Sequence, residues 1–485
     1  FTLDPDLDVE FRDPNDGTLI REKLGTFGCI ASNLPFVAQN GRAAYGDATA
    51  GVNALLEQDG EGLPGRSDVA AYLPFAFYDL LKPQGRLVII LPNSWLGTAW
   101  GEAFYDRLLG FYHLRAVITS GSGRWFSNSD VVTNVLVLEK RDSDDESRSD
   151  TNFVILKQPI DLLTDDANVE SVAAQIELGR AQDDVMSIRS VSHDQLIKAR
   201  PFGLAGSAQF VDIDWLLDCS LVPVRDLFTI RRGERRGWDR LFYPAAGHGI
   251  EADYIKPVLL SSTDIDTYEA TADREAFCCG VSKAELRRRG HTGALRWIER
   301  FESGRNGTGR PLPEVLAKAN HHWYEMRADR VAELVIPLAY GKRLYIGRVD
   351  PAAFVNQRLM GLNPHPGVDV DLAHALLNCT VGLLMIEAIG FGRGLGALDL
   401  NKDRIEANLH ILDPDKLGRP ERDEIVAAFA PMKARSVLEV SDELEQADRQ
   451  ALDELVIRHF GITTSREHIY DTLRALVEVR HAIEV

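Results

Sequence analysis

Apolar and polar positions along the first 200 residues alternate between runs that a strand would bury and stretches with helical spacing. Phe27–Ala31 is a short apolar run that ends at the turn signal Asn33-Leu34-Pro35. Val69–Leu81 has helical periodicity and stops at Lys82-Pro83-Gln84-Gly85, which reads as a C-cap followed by a turn. Arg86–Leu91 is a continuous apolar run of the kind buried in a parallel sheet. Glu102–Phe111 is helical, and Leu114–Thr119 and Val131–Leu138 are β-branched runs. This alternation predicts an α/β domain with a mostly parallel sheet. Arg141–Asp150, a run of Asp, Ser, Glu and Arg, reads as a solvated loop.

From about Ile213 the pattern changes. Val222–Tyr243 reads as strand and turn, with the Arg-rich loop Arg231-Arg232-Gly233-Glu234-Arg235-Arg236-Gly237. Asp371–Ile389 is helical, and Glu421–Phe429, Val437–Phe460 and Arg466–Ile483 are helical and amphipathic. The expected organisation is an α/β domain over 1–200, an α+β domain over 201–415 and a helical segment over 416–485. The longest apolar run, Leu372 to Phe391, contains His374, Asn378 and Glu387, so it reads as a buried helix and not a membrane span.

Composition agrees with a multidomain globular chain. The 485 residues are 45% apolar and 26% charged. The 54 basic and 73 acidic residues give a net charge of −19, which taken alone argues against a phosphate-rich partner. The distribution changes that picture: residues 225–348 hold 22 basic and 17 acidic side chains, a net of +5. Five scattered cysteines with no C-x-x-C exclude a disulfide framework and argue against a structural metal, so no metal is expected. With no opening signal peptide, a reducing cytoplasm is the expected compartment.

One short segment carries candidate chemistry. Ser32-Asn33-Leu34-Pro35-Phe36 follows a strand and begins a loop, and open α/β sheets bind ligands at the carboxyl ends of their strands. An Asn amide oxygen and a neighbouring carbonyl, held in a Pro-stiffened turn, can both accept from one NH2 group. The aromatic that follows can stack on a planar base. Such a set orients the lone pair of an exocyclic amine and stabilises the positive charge it gains on attacking an electrophile. The plain alternative is a tight turn with a buried Phe.

The segment and its context resemble the amino-group DNA methyltransferases that act on adenine N6, whose signature is Asn-Pro-Pro-Tyr/Phe. Tyr72-Leu73-Pro74-Phe75 and Leu81–Leu96 look like that family's helix, turn and fifth strand. Leu114–Thr119, Trp125-Phe126 and Asn134–Lys140 look like its last strands. The order and spacing agree over about 130 residues, and Leu34 replaces the first Pro. The resemblance implies a partial Rossmann-like methyltransferase domain using S-adenosylmethionine. It implies that Asn33 and the Leu34 carbonyl hold the amine, Pro35 shapes the turn, Phe36 stacks on the base, and Phe126 packs against its other side or edge. A duplex adenine must be flipped out to reach such a site. The family's aromatic-x-Gly-x-Gly cofactor loop has no counterpart in residues 1–32, which contain only Gly17, Gly25 and Gly28. The cofactor residues are therefore expected upstream of Phe1. Asn-Leu-Pro-Phe also resembles rRNA adenine dimethylases, which keeps RNA open as a substrate.

Val222–Pro414 resembles the target-recognition domains attached to such enzymes and to restriction specificity subunits. The resembling pieces are Val224–Gly233, Asp253–Leu259, Trp323-Tyr324, Leu376–Cys379 and Gly396–Leu400. Arg231, Arg232, Arg235 and Arg236 stand near two glycines, so that loop can approach phosphates or read guanine edges. Lys342-Arg343 is a second, weaker candidate, and Arg287-Arg288-Arg289 reads as a solvated face. Gly392-Arg393-Gly394-Leu395-Gly396 follows a helix and not a strand, so it reads as a connector and not a nucleotide loop. None of the twelve lysines has Asp or Glu two positions before it, which removes the common nuclease pattern. The resemblance implies double-stranded DNA as partner, possible restriction or defence subunits, and no membrane. The competing expectation is a DNA-binding module whose catalysis needs a partner or an additional segment.

Overall fold

In the computed structural model the described residues are 3–37, 46–58, 60–126, 131–142, 147–181, 183–204, 206–235, 237–272, 274–327, 331–392 and 396–482. Arg236 and residues 393–395 of the glycine-rich connector lie outside them. The chain forms two compact units. The first comprises Phe1–Asp218, Glu387–Asp399 and Asp471–Val485, and the second Cys219–Ile386 and Leu400–Tyr470. Residues 416–470, expected as part of a separate helical segment, therefore belong to the second unit, and the division near 200 falls at Asp218.

The first unit is α/β. A small hairpin of β1 (Asp8–Arg12) and β2 (Leu19–Lys23) stands apart from a six-stranded sheet. The sheet strands are β3 (Phe27–Asn33), β4 (Leu81–Pro92), β5 (Tyr112–Ser120), β6 (Thr133–Lys140), β7 (Thr151–Leu156) and β8 (Met186–Val191). Their order is β3-β4-β6-β5-β7-β8. Only β3/β4 and β5/β7 run parallel, so the sheet is mixed and not mostly parallel. The return from β5 to β6 needs no crossover helix, which permits the antiparallel pairing.

The two sheet faces differ. Leu87, Ile89 and Leu91 of β4, Leu136 and Leu138 of β6, and Leu114 and Val117 of β5 are almost fully buried. They pack with Phe104 and Leu108 of the helix Ala99–Phe111 and with Tyr72 and Phe75. Val88, Ile90, Val135, Val137 and Ile118 point the other way and are partly exposed. The helix Asp166–Leu178 covers that side only near β7 and β8, where Val172 and Ile176 meet Val154, Leu156 and Met186. Among the described residues β3 pairs with β4 alone, so its outer edge is open.

Local turn chemistry departs from the sequence pattern in two places. Val69–Leu80 is three short turns of helix and not one, with Pro74 in the middle turn. Lys82–Gly85 lies inside β4, where Gln84 takes a φ of 59° and a register shift follows Phe27 on β3. The Pro-Gln-Gly signal thus bends a strand and does not end a helix.

The second unit is built on a seven-stranded sheet. Its ordered strands are Phe228–Arg232, Leu359–Pro364, Val331–Pro337, Gly347–Val355, Ile255–Leu259 and Arg274–Phe277, with Glu269–Ala270 beside Gly347–Val355. The helices Lys283–Arg289 and Thr292–Glu302 pack on it through Leu286, Ala294, Trp297 and Ile298. The apolar stretch 370–389 is two helices bent by 68° at Cys379. The Asp453 carboxylate causes the break locally, because it accepts from the Thr380 backbone N–H (2.8 Å) and hydroxyl (2.6 Å) and so starts a new helix. Among the described residues no single helix is long and apolar enough to cross a membrane.

Candidate active site and recognition surface

β3 delivers Asn33 to the carboxyl end of the sheet. Register places Asn33 beside Ile90 of β4, Ile90 beside Val135 of β6, and Val135 beside Ile118 of β5. Asn33 is exposed, and its carboxamide makes no hydrogen bond among the described residues. The next residue does the opposite: the Leu34 side chain is 3% exposed and belongs to the core. An anchored Leu34 beside a free Asn33 fixes the backbone while leaving the amide available. The Val37 N–H donates to the Pro35 carbonyl (2.9 Å), a three-residue turn with Phe36 at its apex. The Val37 carbonyl in turn accepts from the Val69 N–H (3.1 Å).

The partner aromatic comes from the loop after β5. There Ser120 Oγ donates to the Gly123 carbonyl (2.7 Å), and the Gly121 N–H donates to the Leu156 carbonyl (2.7 Å). Trp125 packs toward the Val154–Met186 cluster. Phe126 turns the other way and meets Phe36 edge to face, with centroids 5.8 Å apart and planes at 77°. Three strand spacings of about 4.8 Å separate β3 from β5, so the two loops lean toward each other over β4 and β6. The structure therefore brings Asn33, Leu34, Pro35, Phe36 and Phe126 into one patch. The side chains of this set carry no titratable group; its chemistry rests on hydrogen-bond acceptors and ring faces.

S-adenosylmethionine would need a strand, a glycine loop and a helix beside this patch to hold it. Among the described residues no strand, glycine loop and helix stand on the open side of β3. The described residues thus form no cradle for that group beside the patch. Among the described residues no group of His, Cys, Asp or Glu could hold a metal ion.

In the second unit the Arg loop is pinned at its base and open at its tip. Arg232 Nε donates to the Gln357 carbonyl (3.0 Å), the Glu234 N–H donates to the Val355 carbonyl (3.0 Å), and the Gln357 N–H donates to the Glu234 carbonyl (3.1 Å). Gly233 is required by this close approach, because a Cβ there would lie 2.1 Å from the Asn356 carbonyl oxygen. Arg231 and Arg235 are exposed and have no carboxylate partner among the described residues. Lys318 lies 3.8 Å from Glu234, which adds a cation to the same surface. Lys342 and Arg343 occupy a different turn: the Lys342 carbonyl accepts from the Val440 N–H (2.9 Å), and Arg343 lies 3.8 Å from Asp266 and over Tyr345. Arg287, Arg288 and Arg289 pair with Glu299 and Glu285, consistent with a solvated face. Sequence reading overlooked Lys318, whose neighbour Glu234 is distant in the chain, and the pair Arg240 and Arg300, which two separate helices bring together.

No family model matches this sequence, and no curated protein matches it. Among solved structures the chain is similar to MmeI, a type IIL restriction-modification enzyme in complex with DNA, at a TM-score of 0.54 and 13% identity. That similarity covers 94% of this chain and 57% of MmeI. It is also similar to the type IIG restriction endonuclease BpuSI, at a TM-score of 0.44 and 13% identity, over 90% of this chain and 52% of that one. The chain spans little more than half the length of each. At this identity, what the chain and MmeI share is a fold.

Proposed function

We propose that this chain carries the target-base half of a DNA adenine-N6 methyltransferase joined to a DNA-recognition unit, acting in restriction–modification or phage defence. The observation that carries the reading is the unbonded carboxamide of Asn33 beside the Phe36–Phe126 pair at the carboxyl end of an α/β sheet. S-adenosylmethionine supplies the methyl group when bound. Asn33 Oδ1 and the Leu34 carbonyl accept from the exocyclic amine and hold its lone pair toward the donor. Leu34, buried in the core, keeps its carbonyl from swinging away. The flipped adenine stacks on Phe36 and meets Phe126 at its edge. A sandwich between parallel rings would need about 7 Å, two contact distances, so the T-shaped pair in hand favours one stacked face and one edge. Similarity to a DNA-bound restriction-modification enzyme supports duplex DNA as the substrate, with Arg231, Arg232, Arg235, Arg236, Lys342 and Arg343 as its contacts.

The open edge of β3 and the partly exposed face of Val88, Ile90, Val135 and Val137 favour a second reading beside the first. In it, a segment or partner outside the described strands completes the sheet and holds the cofactor. Calorimetry with S-adenosylmethionine separates the two, because binding by this chain alone overturns the second. Transfer of tritiated methyl to duplex DNA, with N6-methyladenine in the nucleoside digest, is the expected result for the complete system. Label confined to structured RNA, or found on cytosine, overturns the adenine–DNA assignment.

A further inference from the structure

The second unit holds an open cleft of about 390 Å³ between the turn after Tyr243 and the helix Thr292–Glu302. Trp297 forms one wall, and its indole N–H donates to the Leu241 carbonyl (2.9 Å), which fixes the ring. Phe301 stands against it with centroids 5.2 Å apart. The Arg300 guanidinium lies over both rings, 5.4 Å from Trp297 and 5.7 Å from Phe301. Arg240 enters the same cleft from the short helix Asp239–Phe242.

Neither Arg240 nor Arg300 has a carboxylate partner among the described residues. That contrasts with Arg287, Arg288 and Arg289 on the preceding helix, all of them paired. In a chain of net charge −19, two arginines left unpaired in one concavity mark a place for an external anion. The remaining wall is the turn Ala245 to His248. Gly247 has a φ of 81°, and a Cβ there would meet nothing within 4 Å. The backbone is thus bare to a ligand there. Glu275 is engaged by His248 Nε2 at 3.0 Å, while His248 Nδ1 accepts from the Ile250 N–H.

The composition of the cleft selects a ligand. Guanidiniums recognise phosphate oxygens in pairs. Aromatic walls with a stacked arginine accept the face of a base. The volume lies within the range of small-ligand pockets, roughly 300–1,000 Å³. An apolar ligand would leave both charges unmatched, and a bare phosphate would leave the aromatic wall unused. We propose that this cleft binds one nucleotide unit, its phosphate on Arg240 and Arg300 and its base against Trp297 and Phe301. The proposal is independent of the Arg231–Arg236 loop. The unit can belong to a nucleic-acid strand or to a free nucleotide.

The test titrates the whole chain with a labelled duplex, a labelled short single strand, ATP and inorganic pyrophosphate. The Arg240→Ala/Arg300→Ala double variant should bind the nucleotide probe taken by the wild type roughly tenfold more weakly. For a strand, its salt slope should become shallower by roughly one to two. Phe301→Ala should weaken the nucleotide but not pyrophosphate. Arg288→Ala, an exposed arginine already paired with Glu285, should change nothing. ATP binding without strand binding assigns a free nucleotide, and the reverse assigns a strand; both support the cleft. Equal binding of every probe by the double variant and the wild type overturns it, as does failure of the wild type to bind any probe. If duplex binding is lost on neutralising Arg231 and Arg235 while the cleft variant binds duplex, single strand and ATP as the wild type does, this proposal is overturned and DNA recognition is left standing.

Discussion

Phe36 and Phe126 touch edge to face at 5.8 Å although one follows β3 and the other follows β5. Two adjacent loop aromatics, Trp125 and Phe126, divide the work: one packs into the unit and the other faces the patch.

That division predicts opposite phenotypes. Phe36→Ala and Phe126→Ala should each lower transfer by the equivalent of about 1–3 kcal/mol of lost base contact, with little change in unfolding. Trp125→Ala should instead destabilise the first unit by an amount on the order of 3 kcal/mol. Methyl-transfer kinetics beside urea unfolding separate these outcomes.

Asn33 is exposed and unbonded, so Asn33→Ala should shift stability by no more than about 0.5 kcal/mol. The methyl-transferring assembly should lose activity with that change while keeping its DNA affinity. Retained transfer would remove Asn33 from the site.

In the second unit a buried ionic network sets a stability prediction. Glu443 is 2% exposed and accepts from Arg449, which is fully buried, and from Arg435. Burial pushes the Glu443 carboxyl up, but the two guanidiniums outweigh it and hold it below its ordinary value. Stability from this group is therefore present above the unfolded carboxylate pKa of about 4.3. It is lost as pH falls through the lower folded value. Glu443→Ala should cost about 3–5 kcal/mol because it removes the buried carboxylate that Arg449 and Arg435 share. Glu443→Leu/Arg449→Met should recover much of that loss in chemical denaturation.

His374 gives a second pH signature. Burial holds its imidazole down to about 3 from an ordinary 6.5. Between those values the unfolded chain takes up a proton that the folded chain refuses. Stability of this unit should fall as pH drops from 6.5 toward 3. His374 Nε2 donates to the Ile346 carbonyl (2.9 Å), so His374→Gln keeps a donor and should flatten that slope. An unchanged slope in denaturation midpoints would assign it to other groups.

Arg231→Ala/Arg235→Ala should weaken duplex binding and lower its salt slope by roughly two. Gly233→Ala should act indirectly, by forcing the loop away from Asn356. Anisotropy titrations at several salt concentrations test both, and an unchanged slope would place this loop away from the DNA.

Much of the first unit was legible because its strands are local apolar runs. Phe27–Ala31 lies within β3, and Leu114–Thr119 lies within β5. Strand direction was less legible, because the pairing of β6 between β4 and β5 is decided by contacts far apart in the chain. The break at Cys379 was hidden for a similar reason: the cap that creates it, Asp453, lies in another helix. The chemistry proposed for Asn33–Phe36 and Phe126 rests on residue types and resemblance, while the packing of Trp125 into its cluster depends on strands distant in the chain. The cleft of Arg240 and Arg300 left only a faint trace, the spacing of Trp297, Arg300 and Phe301 on one helix.

The outer rim of β3 has a consequence for how the chain must be handled. Its sequence, Phe27-Gly28-Cys29-Ile30-Ala31-Ser32-Asn33, contains no charge and no proline, and Phe27 is 40% exposed. Strands with unpaired rims normally carry such residues to repel other strands. Kept by itself at high concentration, this chain should self-associate through that rim, and a lysine at Ala31 should suppress the clumping.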